Sequence, residues 1–385
     1  MKVEQIYSII NDITSEVLGE SAVLAEDLSN IVDIGQQLFD STSVDNYVRS
    51  LVDHIGRVIF VDRVYRGSVP SVVRDAWEYG AVCEKITVDL PEATENESWN
   101  LQDGASYDPN IFYKPAVSAK FFSKRVTFEI PYSFTEMQVR GSFSSATQMN
   151  AFLSMLENAV RKSMTVKIDE LIMRGINSMI ADTIYDDYAG ATLSTKSGVK
   201  AVNLLYLYNT QFSKSLTASD ALTDPDFIRY AAYTMGMYEN RLSRLSTLYN
   251  IGGKDRFTSP DLLHVVLLND FAKAANVYLQ SDTFHDEFTR LPNAEVVPYW
   301  QGSGESYAFA DVSKVYVSAS GGNNAVEVGG VLGVMFDRDA VGVSNLDQHT
   351  TTNYNPKAEF WSNWFKATTG IFTDENENFI VFFAA

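Results

Sequence analysis

Two carboxylates and a guanidinium interrupt an apolar stretch near the end of the chain, VLGVMFDRDAVGV at residues 331–343. Asp337 and Asp339 are the kind of carboxylate pair that can exchange protons with a substrate or bind a metal ion. With Arg338 between them, their charges can also compensate one another in a polar turn where a strand leaves its core. The sequence favours the turn, and the catalytic or metal-binding alternative stays open.

Other residues capable of chemistry lack the spacing that their chemistry requires. DTFHDEF brings Asp282, His285 and Asp286 together, which we interpret as a solvated loop rather than a metal site. DENENF begins like a calcium loop at Asp374, yet Phe379 stands where such a loop turns on a glycine. No Walker A motif and no nucleophile elbow occurs. We therefore predict no catalytic residue, no metal and no cofactor.

Composition narrows the class of protein. The 385 residues are 45% hydrophobic, enough for a large core divided into two or three subdomains. The net charge of −19, with no basic run, argues against sequence-specific or backbone binding of nucleic acid. The single cysteine, Cys83, excludes an internal disulfide and suits an intracellular chain. No run of 18 apolar residues is present, so no membrane span is expected.

Helical periodicity is clear in two places. Residues 3–18 have an amphipathic pattern that predicts a helix with a surface for a partner. Residues 144–180 carry an apolar stripe at spacings of three and four through about nine turns, which predicts the longest helix of the protein, N-capped by Ser144 or Ser145. From Asp224 onward, alternating helical and strand patterns predict a mixed α/β subdomain, and the chain is expected to end in a β-hairpin around TDENE.

Residues 86–130 form a long excursion with an uneven distribution of charge. Six acids and no lysine or arginine occupy residues 86–113, whereas four cations follow between Lys114 and Arg125. An isolated two-stranded ribbon is only marginally stable in water, so something must cover this segment if it is one. Either it is a solvated acidic loop, or it is an arm that lies on an identical neighbour with complementary charge.

Several stretches together resemble a known family: EYGAVCEKITVDLP, WNLQDGASYD and AKFFSKRVTFEIPYSFTEMQ, then MTVKIDELIMRGI in the long helix, and FDRDAVGVS before the last strands. Their order is similar to that of tailed-bacteriophage major capsid proteins with the Hong Kong 97-type coat fold. The resemblance covers about residues 30 to 385. It rests on the order and texture of the segments rather than on one short motif.

The resemblance implies an α+β fold with an N-terminal arm, an extended β-hairpin arm, a long spine helix, a peripheral domain sheet and an α/β axial domain. Residues 1–45 would be the N-terminal arm, and residues 86–130 the extended arm, or E-loop. The peripheral domain would comprise 46–85, 131–200 and 306–385 with its spine helix at 144–180, and the axial domain 201–305. Contacts between subunits are then expected on the extended arm, at Glu92, Glu95, Glu97, Trp99, Asp103, Tyr107, Asp108, Phe112, Lys114, Lys120, Lys124 and Arg125.

The same resemblance implies a non-enzymatic coat protein that assembles with itself into the hexamers and pentamers of an icosahedral head. It would enclose double-stranded DNA without reading its sequence, would not bind a membrane, and would assemble in the host cytoplasm before becoming part of the virion. Scaffolding and portal proteins are expected partners, with a decoration protein as a further candidate. Covalent cross-linking is not expected, because the arm tip has no lysine before Lys114. The alternatives are an encapsulin-like compartment shell and, more distantly, an α/β hydrolase or metal enzyme that uses Asp282, His285, Asp337 and Asp339.

Overall fold

A computed structural model describes residues 7, 10–14, 17, 30–40, 44–61, 69–74, 83–91, 93–280, 294–301, 306–319 and 325–385. The chain divides into two compact units. Unit 1 comprises residues 1–77, 124–172 and 343–371, and unit 2 comprises residues 78–123, 173–342 and 372–385.

Helices and strands are mixed along the chain, as the sequence predicts. The α-helices of the described residues, apart from a helical stretch at 10–14, are α1 (Ile31–Asp40), α2 (Val44–Val61), α3 (Glu136–Ser142), α4 (Ala146–Tyr188), α5 (Leu204–Phe212), α6 (Ala218–Ala221), α7 (Pro225–Leu242), α8 (Asn269–Gln280) and α9 (Phe309–Val312). The strands are β1 (Val73–Arg74), β2 (Cys83–Val88), β3 (Val117–Phe122), β4 (Arg125–Thr135), β5 (Ala201–Asn203), β6 (Leu263–Leu268), β7 (Glu295–Val297), β8 (Val315–Ser318), β9 (Ala325–Val328), β10 (Val331–Asp337), β11 (Val341–Asn355), β12 (Phe360–Thr373) and β13 (Phe379–Phe383).

Unit 1 is built on a four-stranded sheet in the order β1-β11-β12-β4. Strands β4 and β12 pair antiparallel along their length, from Phe360 opposite Thr135 to Gly370 opposite Arg125. In α4, the spacing of Leu153, Leu156 and Val160 places all three on one face, where they are fully buried in the core of this unit.

Unit 2 contains a five-stranded sheet in the order β5-β13-β10-β6-β7. Every residue of β10 and β13 is buried, which explains why both strands are nearly continuous apolar runs rather than alternating patterns. Side chains of α5, α7 and α8 share the core of this sheet. Strands β2 and β3 form a separate two-stranded ribbon, and β8 and β9 form another.

The long helix α4 confirms the prediction and extends beyond it. Its N-cap is Ser145, whose hydroxyl accepts a hydrogen bond from the backbone N of Gln148 at 3.2 Å. The helix continues past the predicted residue 180 to Tyr188, because Ile184 and Tyr188 extend the buried stripe at the same spacing. It ends where Ala189 and Gly190 adopt positive φ values of 46° and 82°, a left-handed helix terminus.

The predicted terminal hairpin is wrong. Strand β12 lies between β11 and β4, whereas β13 lies between β10 and β5 in the other sheet. The connecting turn is held by other segments: the backbone N of Asp374 donates to the carbonyl of Ala340 at 2.7 Å, and that of Phe379 donates to the carbonyl of Tyr249 at 2.9 Å. These bonds direct the chain from one sheet to the other.

Two further expectations need correction. Ile10 and Ile13 of the N-terminal helix are fully buried in the core of unit 1, so these residues do not offer a surface to a partner. The last strands do not all complete one peripheral sheet, since β10 and β13 pair with β5 and β6 from the predicted axial segment. Such strands need cover on both faces, and helices α5, α7 and α8 contribute to it.

Candidate functional site

The predicted arm, residues 86–130, contains most of the ribbon β2–β3, which begins at Cys83, and the long loop between its strands. The two strands pair antiparallel from Cys83 opposite Phe122 to Val88 opposite Val117. A hydrogen bond of 2.9 Å from the backbone N of Asp89 to the carbonyl of Ala116 extends the ribbon by one step. We call the residues between them, 90–115, the tip. The predicted arm residues 125–130 lie instead in β4, paired with β12.

The tip exposes large apolar side chains. Trp99, Phe112 and Tyr113 expose 93%, 84% and 81% of their surfaces, respectively. Leu90, Leu101, Tyr107 and Ile111 are also exposed. Many large exposed apolar side chains in one segment of a folded protein typically mark a protein–protein contact. The described tip residues thus have the composition of an interface and no core of their own.

Up to Tyr113, the charged residues of the tip are all acidic. Glu95, Glu97, Asp103 and Asp108 are all exposed, and the tip contains no lysine or arginine before Lys114. Surface anions of this kind steer association and choose between partners more than they add affinity. A surface that covers the tip should therefore combine apolar pockets with cationic groups.

Local hydrogen bonds give the tip a defined shape. The side chain of Asn96 accepts from the backbone N of Ser98, and that of Asp108 accepts from the backbone N of Asn110, both at 2.9 Å. The Tyr107 hydroxyl accepts from the backbone N of Gln102 at 3.1 Å. Asx turns of this type fix a loop without a core. In the described residues 90–115, these side-chain bonds join the tip to itself.

The base of the ribbon is attached to the turn between β12 and β13 by ion pairs. The Lys85 ammonium lies 2.9 Å from a carboxylate oxygen of Asp374 and 2.5 Å from one of Glu377. The Lys120 ammonium lies 3.1 Å from the other oxygen of Asp374. Arg256 donates to Glu377 at 3.0 Å. We call these five residues the anchor cluster.

Burial and pairing act in opposite directions on the anchor cluster. Burial acts to raise the pKa of Asp374, but the hydrogen bond and charge of Lys85, the backbone N–H of Asn376 and the charge of Lys120 together outweigh it and lower the pKa. Burial raises the pKa of Glu377, against the opposing influence of Lys85 and Arg256. Burial alone would lower the pKa of Lys85, yet its bonds to Glu377 and Asp374 raise it. The cluster thus keeps Lys85 and Asp374 charged at neutral pH.

Two weaker contacts lie beside the anchor cluster. Lys254 donates to both carboxylate oxygens of Asp89 at 2.8 and 3.1 Å, with both side chains partly in solvent. The rings of Phe122 and Phe372 pack with their centroids 5.5 Å apart. The ribbon is therefore attached through the anchor cluster and the Phe122 ring, with the weaker Lys254–Asp89 pair at the end that carries the exposed tip.

The predicted contact residues fall into three places. The described residues of the tip, all exposed, are Glu95, Glu97, Trp99, Asp103, Tyr107, Asp108, Phe112 and Lys114. Lys120 belongs to the anchor cluster, whereas Lys124 precedes β4 and Arg125 is its first residue. Glu92 lies outside the described residues. Which of these residues contact another subunit stays a prediction.

Sequence reasoning missed Asp374, Glu377 and Arg256 as parts of the site. Lys85 and Asp374 are 289 positions apart, and no spacing rule relates them. The available signal was the cluster of acids in DENENF, which resembles a calcium loop only at its start. Here those acids bind lysine and arginine side chains.

The alternative catalytic residues do not form a site in the described part of the chain. Asp337 is buried, accepts from the Thr258 hydroxyl and from the backbone N of Asp339, both at 2.8 Å, and thereby stabilises the turn after β10. This turn leads into β11, a strand of the other sheet, and not to a second strand facing the same core. Asp282 and His285 lie outside the described residues.

Metal binding and membrane spanning find no support in the same part of the chain. Its His, Cys, Asp and Glu side chains include no group of three or more arranged to hold a metal ion. Its helices include none that is both long and apolar enough to cross a bilayer.

Comparison with known proteins gives matches to phage capsids. The model of the family described as Phi29-like phage major capsid protein matches residues 10–383. The major capsid protein of Bacillus phage GA-1 is 25% identical over 170 residues, which are 43% of this chain and 34% of that relative. The alignment thus spans about a third of the length of the relative.

Solved capsid structures also match at low identity. The capsid structure of Staphylococcus phage Andhra matches with a TM-score of 0.49 and 10% identity, covering 84% of this chain and 86% of the other. The capsid structure of the cyanophage P-SCSP1u matches with a TM-score of 0.45 and 11% identity, covering 84% and 90%. At these scores the family model, which spans nearly the whole chain, carries the assignment.

Proposed function

This chain belongs to the family of Phi29-like phage major capsid proteins, and on that premise we propose how it builds the shell of a phage head. Its copies assemble into the hexamers and pentamers of an icosahedral shell around double-stranded DNA. The arrangement is of the Hong Kong 97 type. In it α4 is the spine helix, the ribbon with its tip, residues 83–122, is the extended arm, and residues 201–305 belong to the axial domain together with β10 and β13.

The observation that carries this proposal is the tip, with three aromatic side chains more than four-fifths exposed on a ribbon of only two strands. Two-stranded ribbons and exposed aromatic clusters are both unfavourable in water until another surface covers them. A copy of the same chain is the partner most available to a coat subunit. Many moderate contacts of this kind close a shell, because each remains reversible while the sum holds the particle.

The acidic composition suits a container for DNA. With a net charge of −19 and no run of basic residues, the chain is poorly suited to bind phosphates tightly, and tight binding would resist packing or release of the genome. Scaffolding and portal proteins, and a decoration protein in addition, are the partners that we propose for assembly in the host cytoplasm. The DNA itself is enclosed without base contacts.

Deletion of the tip tests the proposal. The full-length protein should form closed shells, seen by electron microscopy of purified particles. A variant in which a short Gly-Ser linker replaces residues 92–112 should remain folded, with an unchanged circular dichroism spectrum and cooperative unfolding, because the described residues removed contribute nothing buried. It should not close a shell. Normal particles from this deletion would contradict the role of the arm, and wild-type protein that forms no shell under any scaffold or salt condition would contradict the function.

A further inference from the structure

Lys85 and Lys120 stand directly opposite each other on the ribbon, although both carry a positive charge. Like charges at such a cross-strand pair repel and weaken the pairing. One carboxylate resolves the conflict, since the two oxygens of Asp374 each accept from one of the two lysines. The ribbon therefore contains a repulsive pair that is compensated by Asp374, which pairs with both lysines, and by Glu377, which pairs with Lys85.

We propose that the anchor cluster is an electrostatic latch that sets the direction of the arm. Asp374 and Glu377 hold the base of the ribbon. Loss of the charges of these carboxylates, or of the lysines that face them, releases it. This inference rests on the proposed function, in which the direction of the arm determines whether its tip meets the neighbouring subunit. Lys85 and Lys120 are positioning residues in this scheme, and the tip makes the contact.

The anchoring side of the latch is fixed. The backbone N of Asp374 donates to Ala340 at 2.7 Å, and the backbone N of Gly252 donates to the carbonyl of Glu375 at 2.8 Å. The Asp374 carboxylate also accepts from the backbone N of Asn376 at 3.1 Å. Its side chain is 1% exposed, so solvent and salt screen it little. The turn is thus a firm support against which the ribbon is oriented.

The charges of the latch depend on one another. Three cations, Lys85, Lys120 and Arg256, face the carboxylates of Asp374 and Glu377, and the charge of Asp337 also acts on Glu377. When one partner of a buried pair is removed, the other keeps its desolvation cost without compensation. Removal of one lysine therefore weakens the whole cluster instead of a single bond.

Nothing of equal strength replaces the latch in the described contacts of the ribbon. The neighbouring pair between Lys254 and Asp89 is partly in solvent, where ion pairs contribute little. The ring contact between Phe122 and Phe372 holds the ribbon against the turn, but an apolar contact of this kind does not fix the orientation of the ribbon. At the tip end of the ribbon, Val88 and Leu90 also line a cavity together with Leu245 and Phe257. Among the described contacts of the ribbon, the anchor cluster carries the buried charges, and its ion pairs therefore contribute most to the direction of the arm.

A distance measurement in the full-length, unassembled subunit tests the latch. Spin labels at the exposed positions 103 on the tip and 277 on α8, in a Cys83→Ser background, report the direction of the arm by double electron–electron resonance. The unmodified latch should give one narrow distance distribution. Lys85→Met and Lys120→Met, which keep an unbranched side chain without the charge, should each broaden it at least twofold. Lys85→Arg should restore the narrow distribution, and Lys114→Met on the tip should leave it unchanged.

The outcomes separate the latch from the proposed function. Equally narrow distributions in both methionine variants would overturn the latch, whatever the shells do. Shell formation is then scored for the same proteins: with wild-type shells present, released arms should lower the yield of closed particles at least tenfold. Absence of wild-type shells would overturn the proposed function and leave the distance result intact. Should Lys85→Met fail to fold, Lys120→Met alone supplies the test, because its side chain is more than a third exposed.

Discussion

Replacement of the tip aromatics should separate assembly from folding. The change is Trp99, Phe112 and Tyr113 to alanine in one chain. All three side chains are more than 80% exposed in the subunit, so their loss removes almost no buried area. Surface substitutions of this kind change the free energy of unfolding by no more than about 0.5 kcal/mol. Urea unfolding of the subunit should therefore have an unchanged midpoint.

The cost should appear in assembly. A tryptophan that becomes fully covered buries about 200 Å², worth about 5 kcal/mol at about 25 cal/mol per Å² as an upper limit. Ordering of the contact reduces this figure considerably. Even a remaining 1.4 kcal/mol per subunit contact changes the association constant about tenfold. We expect the triple variant to need at least ten times more subunit for shell formation.

The assay is light scattering against subunit concentration, with electron microscopy to confirm closed particles. Trp99→Phe is the matched control, since it keeps an aromatic ring and should assemble at a concentration close to that of the unmodified protein. Assembly of the triple variant at the wild-type concentration would refute the reasoning that these rings are covered in the shell. A lowered unfolding midpoint would show instead that they support the subunit itself.

Two further predictions concern stability. Gly330→Ala should lower the free energy of unfolding by at least about 2 kcal/mol, because φ is +73° and a Cβ would lie 2.0 Å from the carbonyl oxygen of Ala384. Gly141→Ala is the control: it has open space around it and should be neutral or slightly stabilising in the same urea titration. The lowered pKa of Asp374 means that its stabilising contribution is present above the ordinary value of 3.8 and is lost as pH falls through the folded-state value. The difference in unfolding free energy between wild type and Asp374→Asn should therefore shrink below about pH 3.8, whereas a difference independent of pH would contradict the ion-pair account. The charged groups facing Asp374 are Lys85, Lys120 and Glu377. The pKa of Glu377 is shifted in the opposite direction, but Glu377 is present in both proteins that are compared.

Short-range patterns in the sequence determined much of the architecture. The stripe of residues 144–180 predicted α4, and of its two candidate N-caps, Ser144 and Ser145, the structure uses Ser145. The helical pattern that starts near Asp224 corresponds to α7, where Asp224 accepts from the backbone N atoms of Asp226 and Phe227, both at 2.9 Å. The acidic, aromatic excursion after Cys83 was also visible as a ribbon with an uncovered tip. These features depend on neighbours within a few residues, where periodicity and hydrogen-bonding geometry are decisive.

Only the tertiary structure decided which strands pair and where the arm is anchored. The stretch TDENE has the composition of a hairpin turn, but its partners at Ala340 and Tyr249 direct β13 into a different sheet from β12. Lys85 meets Asp374 across 289 positions because the ribbon and the turn pack together. Strand pairing and ion pairing over such separations depend on the burial of whole segments, which no local pattern encodes. The sequence by itself thus specified the exposed tip, and the packed structure specified its attachment.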